Sequence, residues 1–169
     1  NIKTQTGLQI GITTSGENQK EVLEAALKLE IEGEPLFDSY QVTYNVFEQS
    51  TFSVLSKLIK NGKTVIIKEV LANGRVFENE KFLNYQNAYK VMKQLSEKYK
   101  VGFDAVALRF VIDNLKPKYV LSGASNKIQL EENLKTLSFS FSEKELDVLK
   151  TLKVSSEHYW EERSKMNWN

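Results

Sequence analysis

The chain has 169 residues, and its 23 Lys plus Arg balance 22 Asp plus Glu to a formal net charge of +1. This balance gives no argument for a nucleic-acid or membrane-surface partner, and the lack of cysteine excludes disulfides, thiolate metal sites and a cysteine nucleophile. There is no apolar run of bilayer length and no signal-peptide layout, so we expect a single cytoplasmic domain.

The beginning of the chain predicts a strand followed by a helix. Residues 7–16, GLQIGITTSG, contain β-branched residues and end in a Thr-Thr-Ser-Gly turn, which indicates a short strand. Residues 17–33 have apolar side chains at helical spacing, and we predict an amphipathic helix that stops near Pro35. Its predicted stripe consists of Val22, Ala26 and Leu29, with Leu23 and Leu27 beside it.

The middle of the chain repeats this alternation. Residues 37–47, FDSYQVTYNVF, are a second strand candidate. Apolar residues at helical spacing over 52–59 predict a second helix, and the Asn-Gly pair that follows predicts its end. Residues 64–74, TVIIKEVLANG, are predicted to be a third strand and its turn.

The last third contains two more helical regions around a fourth strand. Helical patterns cover 85–99 and 104–114, and residues 118–123, KYVLSG, are predicted to be a strand. The segment 127–137, KIQLEENLKTL, has a helical pattern. We expect its leucines to lie in the core: Leu130, Leu134 and Leu137.

Several side chains are predicted to have structural roles. Ser142 and Glu145 fit a capping box at the start of a further helix. Arg109 lies in an otherwise apolar helix, where a paired structural cation is expected, and Trp160 is expected to pack. The sole histidine, His158, is far from any predicted strand end, so we assign it to the surface or to packing.

Four strand–helix repeats predict an α/β fold with a parallel sheet, in which chemistry collects at the carboxyl ends of the strands. Those ends read TTSG, QVTYN, KEVLANG and SGASN, and all contain small or polar residues. The SGASN turn directly before a helix has two explanations. Tight turns need glycine and a cap, and a helix N-terminus is also a ready site for a phosphate.

Several of these segments together resemble the aldo-keto reductase family. The segments are LQIGITT, QVTYNVFEQ, VIIKEVLANGRV, YWEERSKMNW and, most specifically, ALRFVIDNLKPKYVLSGASNKIQLEENLKTL. The resemblance covers nearly the whole chain but only strands five to eight of the family's barrel. It implies the C-terminal half of a TIM-type (β/α)₈ barrel, with four strand–helix units plus a C-terminal helix and tail. Residues 1–169 would form one unit, with the dinucleotide-binding side in 1–141 and the helix and tail in 142–169.

The resemblance implies an NADP(H)-dependent oxidoreductase that reduces a carbonyl or oxidises an alcohol. The family's catalytic Asp, Tyr, Lys and His come from the first half of the barrel, so we assign no catalytic residue and no metal ligand here. Alone, the chain would be inactive, and its partners would be the small-molecule substrate and either the missing N-terminal half or a second copy. The alternative is a non-catalytic dinucleotide-binding or protein-interaction module of the same fold.

At the nicotinamide end, the resemblance assigns contacts to the first three strands. Gln41 would hydrogen-bond the nicotinamide carboxamide, since an amide offers both a donor and an acceptor. Thr13 and Thr14 stand where the family usually has a Ser-Asn pair. Lys68 stands where many members have an aromatic ring; it would cover the nicotinamide with its stem, or else pair with Glu69 or another carboxylate.

At the adenosine end, the resemblance assigns contacts to the turn before the last predicted βα helix. Ser125 would bind the 2′-phosphate together with neighbouring backbone N–H groups. Gln129 stands where the family commonly has Arg, so Lys127 would have to supply the positive charge near the phosphate. Glu132 and Asn133 would recognise the amino group and a ring nitrogen of the adenine. The other residues assigned to the cofactor are Leu71, Asn73, Gly74, Ser122, Gly123 and Ala124.

Overall fold

The computed structural model describes residues 2–166, in which helices pack against a parallel sheet. The strands are β1 Gly11–Thr13, β2 Glu30–Ile31, β3 Glu34–Pro35, β4 Ser39–Thr43, β5 Thr64–Lys68 and β6 Tyr119–Val120. The helices are α1 Ile2–Thr6, α2 Gln19–Ala26, α3 Phe52–Lys60, α4 Gln86–Tyr99, α5 Phe103–Leu115, α6 Lys127–Leu134, α7 Glu143–Lys150 and α8 Ser156–Ser164. Short 3₁₀ turns cover Ala72–Gly74, Leu83–Tyr85 and Lys135–Ser138.

The main sheet is parallel, with the strand order β1-β4-β5-β6. Each of its strands lies within a segment that the sequence predicts as extended, and the crossover helices follow as predicted. An α/β fold with a parallel sheet is therefore confirmed. Within residues 2–166, no helix is both long and apolar enough to cross a membrane.

The segment after α2 differs from the prediction. The helix ends at Ala26, and β2 and β3 form a small antiparallel hairpin whose turn has positive φ at Glu32 and Gly33. A glycine adopts that conformation without strain, so Glu-Gly makes a tight turn here. The sequence reading missed this hairpin because its strands are only two residues long.

The two faces of the main sheet have different surroundings. Side chains on one face are fully buried under the helices, including Tyr40, Val42, Val65 and Ile67. On the other face, Gln41, Ile66 and Lys68 are half-buried and Thr13 is exposed. The second face therefore presents polar and apolar side chains together at an open surface.

The core under the covered face contains a buried tyrosine. The Tyr44 ring stacks on Phe110 with 6.0 Å between centroids, and its hydroxyl accepts a 2.6 Å hydrogen bond from the Asn114 side chain. Burial raises the pKa of Tyr44, so this hydroxyl is neutral at physiological pH. It thus links β4 to the end of α5 without introducing a charge.

The apolar residues of α2 and α6 are buried differently from the sequence prediction. On α2, Leu23 and Ala26 are buried and Val22 is exposed, and Leu29, beyond the end of the helix, is exposed as well. The predicted core leucines of α6 and the turn after it are exposed as well: Leu130, Leu134 and Leu137. The reason is that α6 packs against α5 and, together with the 3₁₀ turn after it, buries the side chains of Asn133 and Thr136, which leaves the leucines on the outer side.

The predicted capping box of α7 is confirmed. The Ser142 hydroxyl accepts from the Glu145 N–H, and a Glu145 carboxylate oxygen accepts from the Ser142 N–H at 2.8 Å. Lys98 and the Tyr99 hydroxyl also donate to this carboxylate, at 2.7 and 2.9 Å. Burial alone would raise the pKa of Glu145, but the hydrogen bonds from Lys98 and Ser142 outweigh it and hold the pKa at about 2.

We predict that Glu145→Gln lowers the free energy of unfolding at neutral pH by about 0.5–2 kcal/mol, the usual value of a cap. Because the folded-state pKa is depressed, this stabilisation is present above the ordinary pKa of 4.5 and is lost as the pH falls towards 2. Urea unfolding of both proteins from pH 7 to pH 2 measures it. Glu143→Gln, on the same first turn, is the control; a difference that does not shrink with pH would contradict the prediction.

Candidate functional site

The carboxyl ends of β1, β4 and β5 bring several predicted site residues together. Thr13 lies opposite Gln41 in the register, and the Gln41 amide approaches the Thr13 hydroxyl at 3.5 Å. The Thr14 N–H donates to the Gln41 carbonyl at 3.0 Å, so the backbone fixes this pair of strand ends. Within residues 2–166, the long contact with the Thr13 hydroxyl is the one hydrogen bond of the Gln41 amide, so the amide remains available to a ligand at this edge.

Lys68 contacts the turn that follows β1, across the end of the intervening strand β4. Its ammonium donates to the Ser15 hydroxyl at 2.5 Å. Among the residues that the structure describes, no carboxylate lies within ion-pair distance of Lys68, and Glu69 lies 3.8 Å from Arg163. The Lys68 charge is therefore available for a ligand, and the expected alternative of a Lys68–Glu69 pair does not form.

The turn after β6 is organised around one acceptor oxygen. The backbone N–H and the hydroxyl of Ser125 both donate to the side-chain oxygen of Gln129, at 2.8 and 2.9 Å. Gly123 has φ +68°, a conformation that favours glycine, and Asn126 caps α6 by accepting from the Gln129 N–H at 3.0 Å. The sequence reading did not single out this Asn cap, although Asn directly before a helical pattern is a standard signal.

The adjacent residues Glu132 and Asn133 of α6 differ in burial. Glu132 is paired with Lys135 at 2.6 Å on the exposed side. Asn133 is 3% exposed and donates to the Ser122 carbonyl at 3.0 Å, which ties the helix to the turn. Lys127 lies 3.6 Å from Glu131 along the same helix.

The loop after β5, residues 69–75, has an unusual backbone. Glu69, Ala72 and Asn73 have φ of 55°, 49° and 55°, and Gly74 follows with φ 89°. Left-handed conformations cost a residue with a Cβ roughly 1–2 kcal/mol. The surrounding contacts must therefore hold this loop, which includes the predicted site residues Leu71, Asn73 and Gly74.

Asn45 makes one set of those contacts. Its amide nitrogen donates to the Glu69 carbonyl and to the Tyr159 hydroxyl, both at 2.9 Å. Its side-chain oxygen accepts from the N–H groups of Phe47 and Glu48. One fully buried amide thus joins the β4 turn, the β5 loop and α8.

Arg75 makes the second set and is fully buried. Its Nε donates to the Ala72 carbonyl at 3.0 Å, and its Nη1 donates to the Tyr159 carbonyl at 3.0 Å and lies 3.3 Å from a Glu162 carboxylate oxygen. The guanidinium also lies over the Tyr159 ring, 3.9 Å from the centroid. The sequence reading missed Arg75 because its partners lie more than eighty positions away.

The remaining sequence predictions have clear outcomes. Arg109 pairs with Asp113 one turn away, and Trp160 packs edge-on against Tyr159, so both structural roles are confirmed. His158 lies on α8, where its Nε2 is 3.1 Å from Glu162. Within residues 2–166, no cluster of His, Cys, Asp and Glu is arranged to hold a metal ion.

Comparison with protein-family models gives one match, the aldo/keto reductase family, over residues 4–153. The chain belongs to this family. A search of curated proteins finds no match to this aldo/keto reductase sequence. The family assignment agrees with the resemblance of the sequence segments described above.

Solved structures show the same fold at low identity. The aldo-keto reductase Tm1743, solved with the inhibitor epalrestat, has a TM-score of 0.64 and 21% identity, over 89% of this chain and 51% of its own. A candidate 2,5-diketo-D-gluconic acid reductase B has a TM-score of 0.65 and 20% identity, over 92% and 50%. This aldo/keto reductase chain therefore spans about half the length of the structures it matches.

Members of the family generally bind nicotinamide cofactors, and the residues present fit such a group. Ser125 already directs two donors at a single oxygen, as a phosphate oxygen requires. Asn133 keeps a buried side-chain oxygen without a hydrogen-bond partner among the described residues, and Lys68 supplies a cation at the strand ends. The donors and acceptors suit an anionic dinucleotide.

We predict that Asn45→Ala lowers the free energy of unfolding by about 1–3 kcal/mol, because it leaves the buried hydrogen-bond partners of Asn45 unsatisfied. Chemical denaturation measures the loss. Asn18→Ala is the matched control, because Asn18 caps α2 without a side-chain hydrogen bond and is exposed. Equal stabilities of the two variants would contradict the role given to Asn45.

Proposed function

We propose that the chain is the cofactor-binding part of an NADP(H)-dependent oxidoreductase that reduces a carbonyl or oxidises an alcohol. The observation that carries this proposal is the convergence of the Ser125 N–H and hydroxyl on one acceptor oxygen at the start of α6. The family assignment supports the reaction class. The cofactor would supply the hydride, and the chain would bind and orient it, in the cytoplasm, where nicotinamide cofactors are available.

At the nicotinamide end, Gln41 would bind the carboxamide, with Thr13 and Thr14 beside it. The Gln41 amide has only a long contact to Thr13, so it can exchange this partner for a ligand without leaving a buried group unsatisfied. Lys68 would place its positive charge near the pyrophosphate or along the ring. The β5 loop, with Leu71, would cover this end.

At the adenosine end, the turn of Ser122, Gly123, Ala124 and Ser125 would bind the 2′-phosphate. The Gln129 side-chain oxygen now accepts both Ser125 donors and stands in for a phosphate oxygen. A phosphate would displace it and gain charge-assisted hydrogen bonds at a helix N-terminus. Glu132 and Asn133 would lie beside the adenine, with Asn133 also holding the turn through Ser122.

We also propose that the chain is the C-terminal half of a TIM-type barrel, with the dinucleotide-binding side in 1–141 and the helix and tail in 142–169. The catalytic Asp, Tyr, Lys and His would come from an N-terminal half that completes the barrel. Two observations support this: the sheet has one open face, and the chain covers about half of the matched structures. The alternative is that a second copy of the chain covers the open face of the sheet.

We predict that, in the full-length protein carrying these residues, Ser125→Ala weakens NADPH binding by about tenfold through loss of a charge-assisted hydrogen bond. Gln129→Arg should strengthen it by about tenfold, because it frees the Ser125 donors and adds a cation. NADH affinity should stay unchanged in both variants, since NADH has no 2′-phosphate. Fluorescence titration with each cofactor measures these affinities.

Leu137→Arg is the matched control, since it adds the same charge at an exposed position outside the turn. Equal effects on NADPH and NADH would remove the turn from the 2′-phosphate site. NADPH binding without turnover of any carbonyl or alcohol would indicate the non-catalytic module instead. Absence of binding by either cofactor would contradict the proposed function.

We predict that the 169-residue chain alone does not persist as a stable monomer. The edge strands β1 and β6 leave backbone groups unpaired, and apolar side chains remain exposed on and beside β6 and α6, such as Tyr119, Leu121 and Leu134. Light scattering with intact mass, followed by thermal unfolding, measures this. A 19.4 kDa monomer with a sharp cooperative transition would show that the fold needs no partner.

A further inference from the structure

The C-terminal helix α8 and the loop at 69–75 share a buried polar network. Arg75 is the centre of this network, because one guanidinium contacts both the loop, at the Ala72 carbonyl, and α8, at the Tyr159 carbonyl. The Tyr89 hydroxyl donates to the Arg75 carbonyl at 3.0 Å and fixes the residue's own backbone. The loop and the helix are thus joined through a side chain that water does not reach.

Glu162 supplies the negative charge of the network. One of its carboxylate oxygens lies 3.3 Å from Arg75 and accepts a 2.5 Å hydrogen bond from the Tyr85 hydroxyl. The other oxygen lies 3.1 Å from His158 on the same helix. Burial, reinforced by this carboxylate, raises the pKa of Tyr85, so its hydroxyl stays protonated and keeps donating.

The loop depends on this network because its own backbone is strained. Glu69, Ala72 and Asn73 all have positive φ, which an isolated segment with Cβ atoms would leave. Only short-range backbone bonds lie within the loop, such as Ala72 N–H to the Glu69 carbonyl at 2.9 Å. Long-range contacts come from the Asn45 amide at the Glu69 carbonyl, from the Arg75 guanidinium, which joins the Ala72 carbonyl to the Tyr159 carbonyl on α8, and from Arg163 near Glu69.

We propose that Arg75 and Glu162 are positioning residues for the cofactor, and that α8 acts through them to hold the loop 69–75 in its binding shape. This inference rests on the proposed function, because the loop is the part assigned to cover the nicotinamide end. The adenosine end depends on different contacts. Ser125, Gln129 and Asn126 are joined by hydrogen bonds within the turn and α6, and these bonds do not involve α8.

Because the two ends depend on different contacts, two ligands that differ in which ends they contact can test the proposal. NADPH would contact both regions, whereas 2′,5′-ADP carries only the adenosine end and its 2′-phosphate. In the full-length protein carrying these residues, Glu162→Gln keeps the side-chain shape but removes the charge. We expect its NADPH affinity to fall by about tenfold and its 2′,5′-ADP affinity to stay within about twofold. Arg75→Met should give the same pattern with a larger loss of NADPH affinity.

Glu161→Gln is the matched control. Glu161 is the neighbour of Glu162 on α8, but its partner is the exposed Lys165 at 2.5 Å. We expect neither ligand to lose affinity in this variant. If Glu162→Gln binds NADPH as tightly as Glu161→Gln, the positioning role is wrong while the proposed function stands.

Amide hydrogen exchange tests the loop independently of any cofactor. In Glu162→Gln, the N–H groups of Ala72, Gly74 and Arg75 should exchange about tenfold faster, whereas those around Met92 in α4 should not change. Faster exchange throughout the protein would indicate a general structural role and overturn the inference. If the wild type binds neither NADPH nor 2′,5′-ADP, the proposed function fails, and exchange still decides whether α8 holds the loop.

Discussion

A single buried charge organises the carboxyl edge of the sheet. Arg75 is fully buried, and a guanidinium removed from water is strongly destabilising unless it is paired and hydrogen-bonded. Its partners come from its own loop and from α8, which lies more than eighty residues further along the chain. The need to neutralise Arg75 therefore helps to hold α8 in place, together with the hydrogen bond from Asn45 to the buried Tyr159 hydroxyl, and α8 in turn closes the network over the loop. Removing only the carboxylate would leave the buried cation without its charge partner.

The two ends of the candidate site are held in different ways. At the turn, the hydrogen bonds of Ser125 and Asn126 join residues at most four positions apart and are exposed, while one buried side chain, Asn133, donates to the Ser122 carbonyl. The β5 loop is built from buried contacts across the fold, through Asn45 and Arg75. Local exposed hydrogen bonds exchange readily with solvent or ligand, whereas a buried network reorganises only as a unit. Under the proposed function, the turn at Ser125 would therefore adapt to its ligand, whereas the β5 loop would be preorganised.

The sequence was informative where structure depends on local pattern. Hydrophobic runs and turn residues located β4, β5 and the capping box at Ser142, because each is specified by residues close together in the chain. Leu130, Leu134 and Leu137 were misplaced because helical spacing shows that a helix has an apolar side but not which neighbour covers it. Arg75 and Asn45 were missed because the contacts that give them importance join distant segments. Both residues stand in segments that resemble the family, QVTYNVFEQ and VIIKEVLANGRV, but nothing in those segments shows that their side chains make these contacts.

The open face of the sheet connects the proposed cofactor site to the proposed barrel. Gln41 and Lys68 lie on this face together with Ile66, so the polar groups of the site and uncovered apolar surface share one surface. A partner that covers Ile66 would also exclude water around Gln41 and Lys68, and their interactions with a dinucleotide would strengthen at lower local dielectric. A cofactor bound between both halves would in turn stabilise the closed form by mass action. Under the proposed function, closure of the barrel and cofactor affinity are therefore thermodynamically linked, and neither is a property of these 169 residues alone.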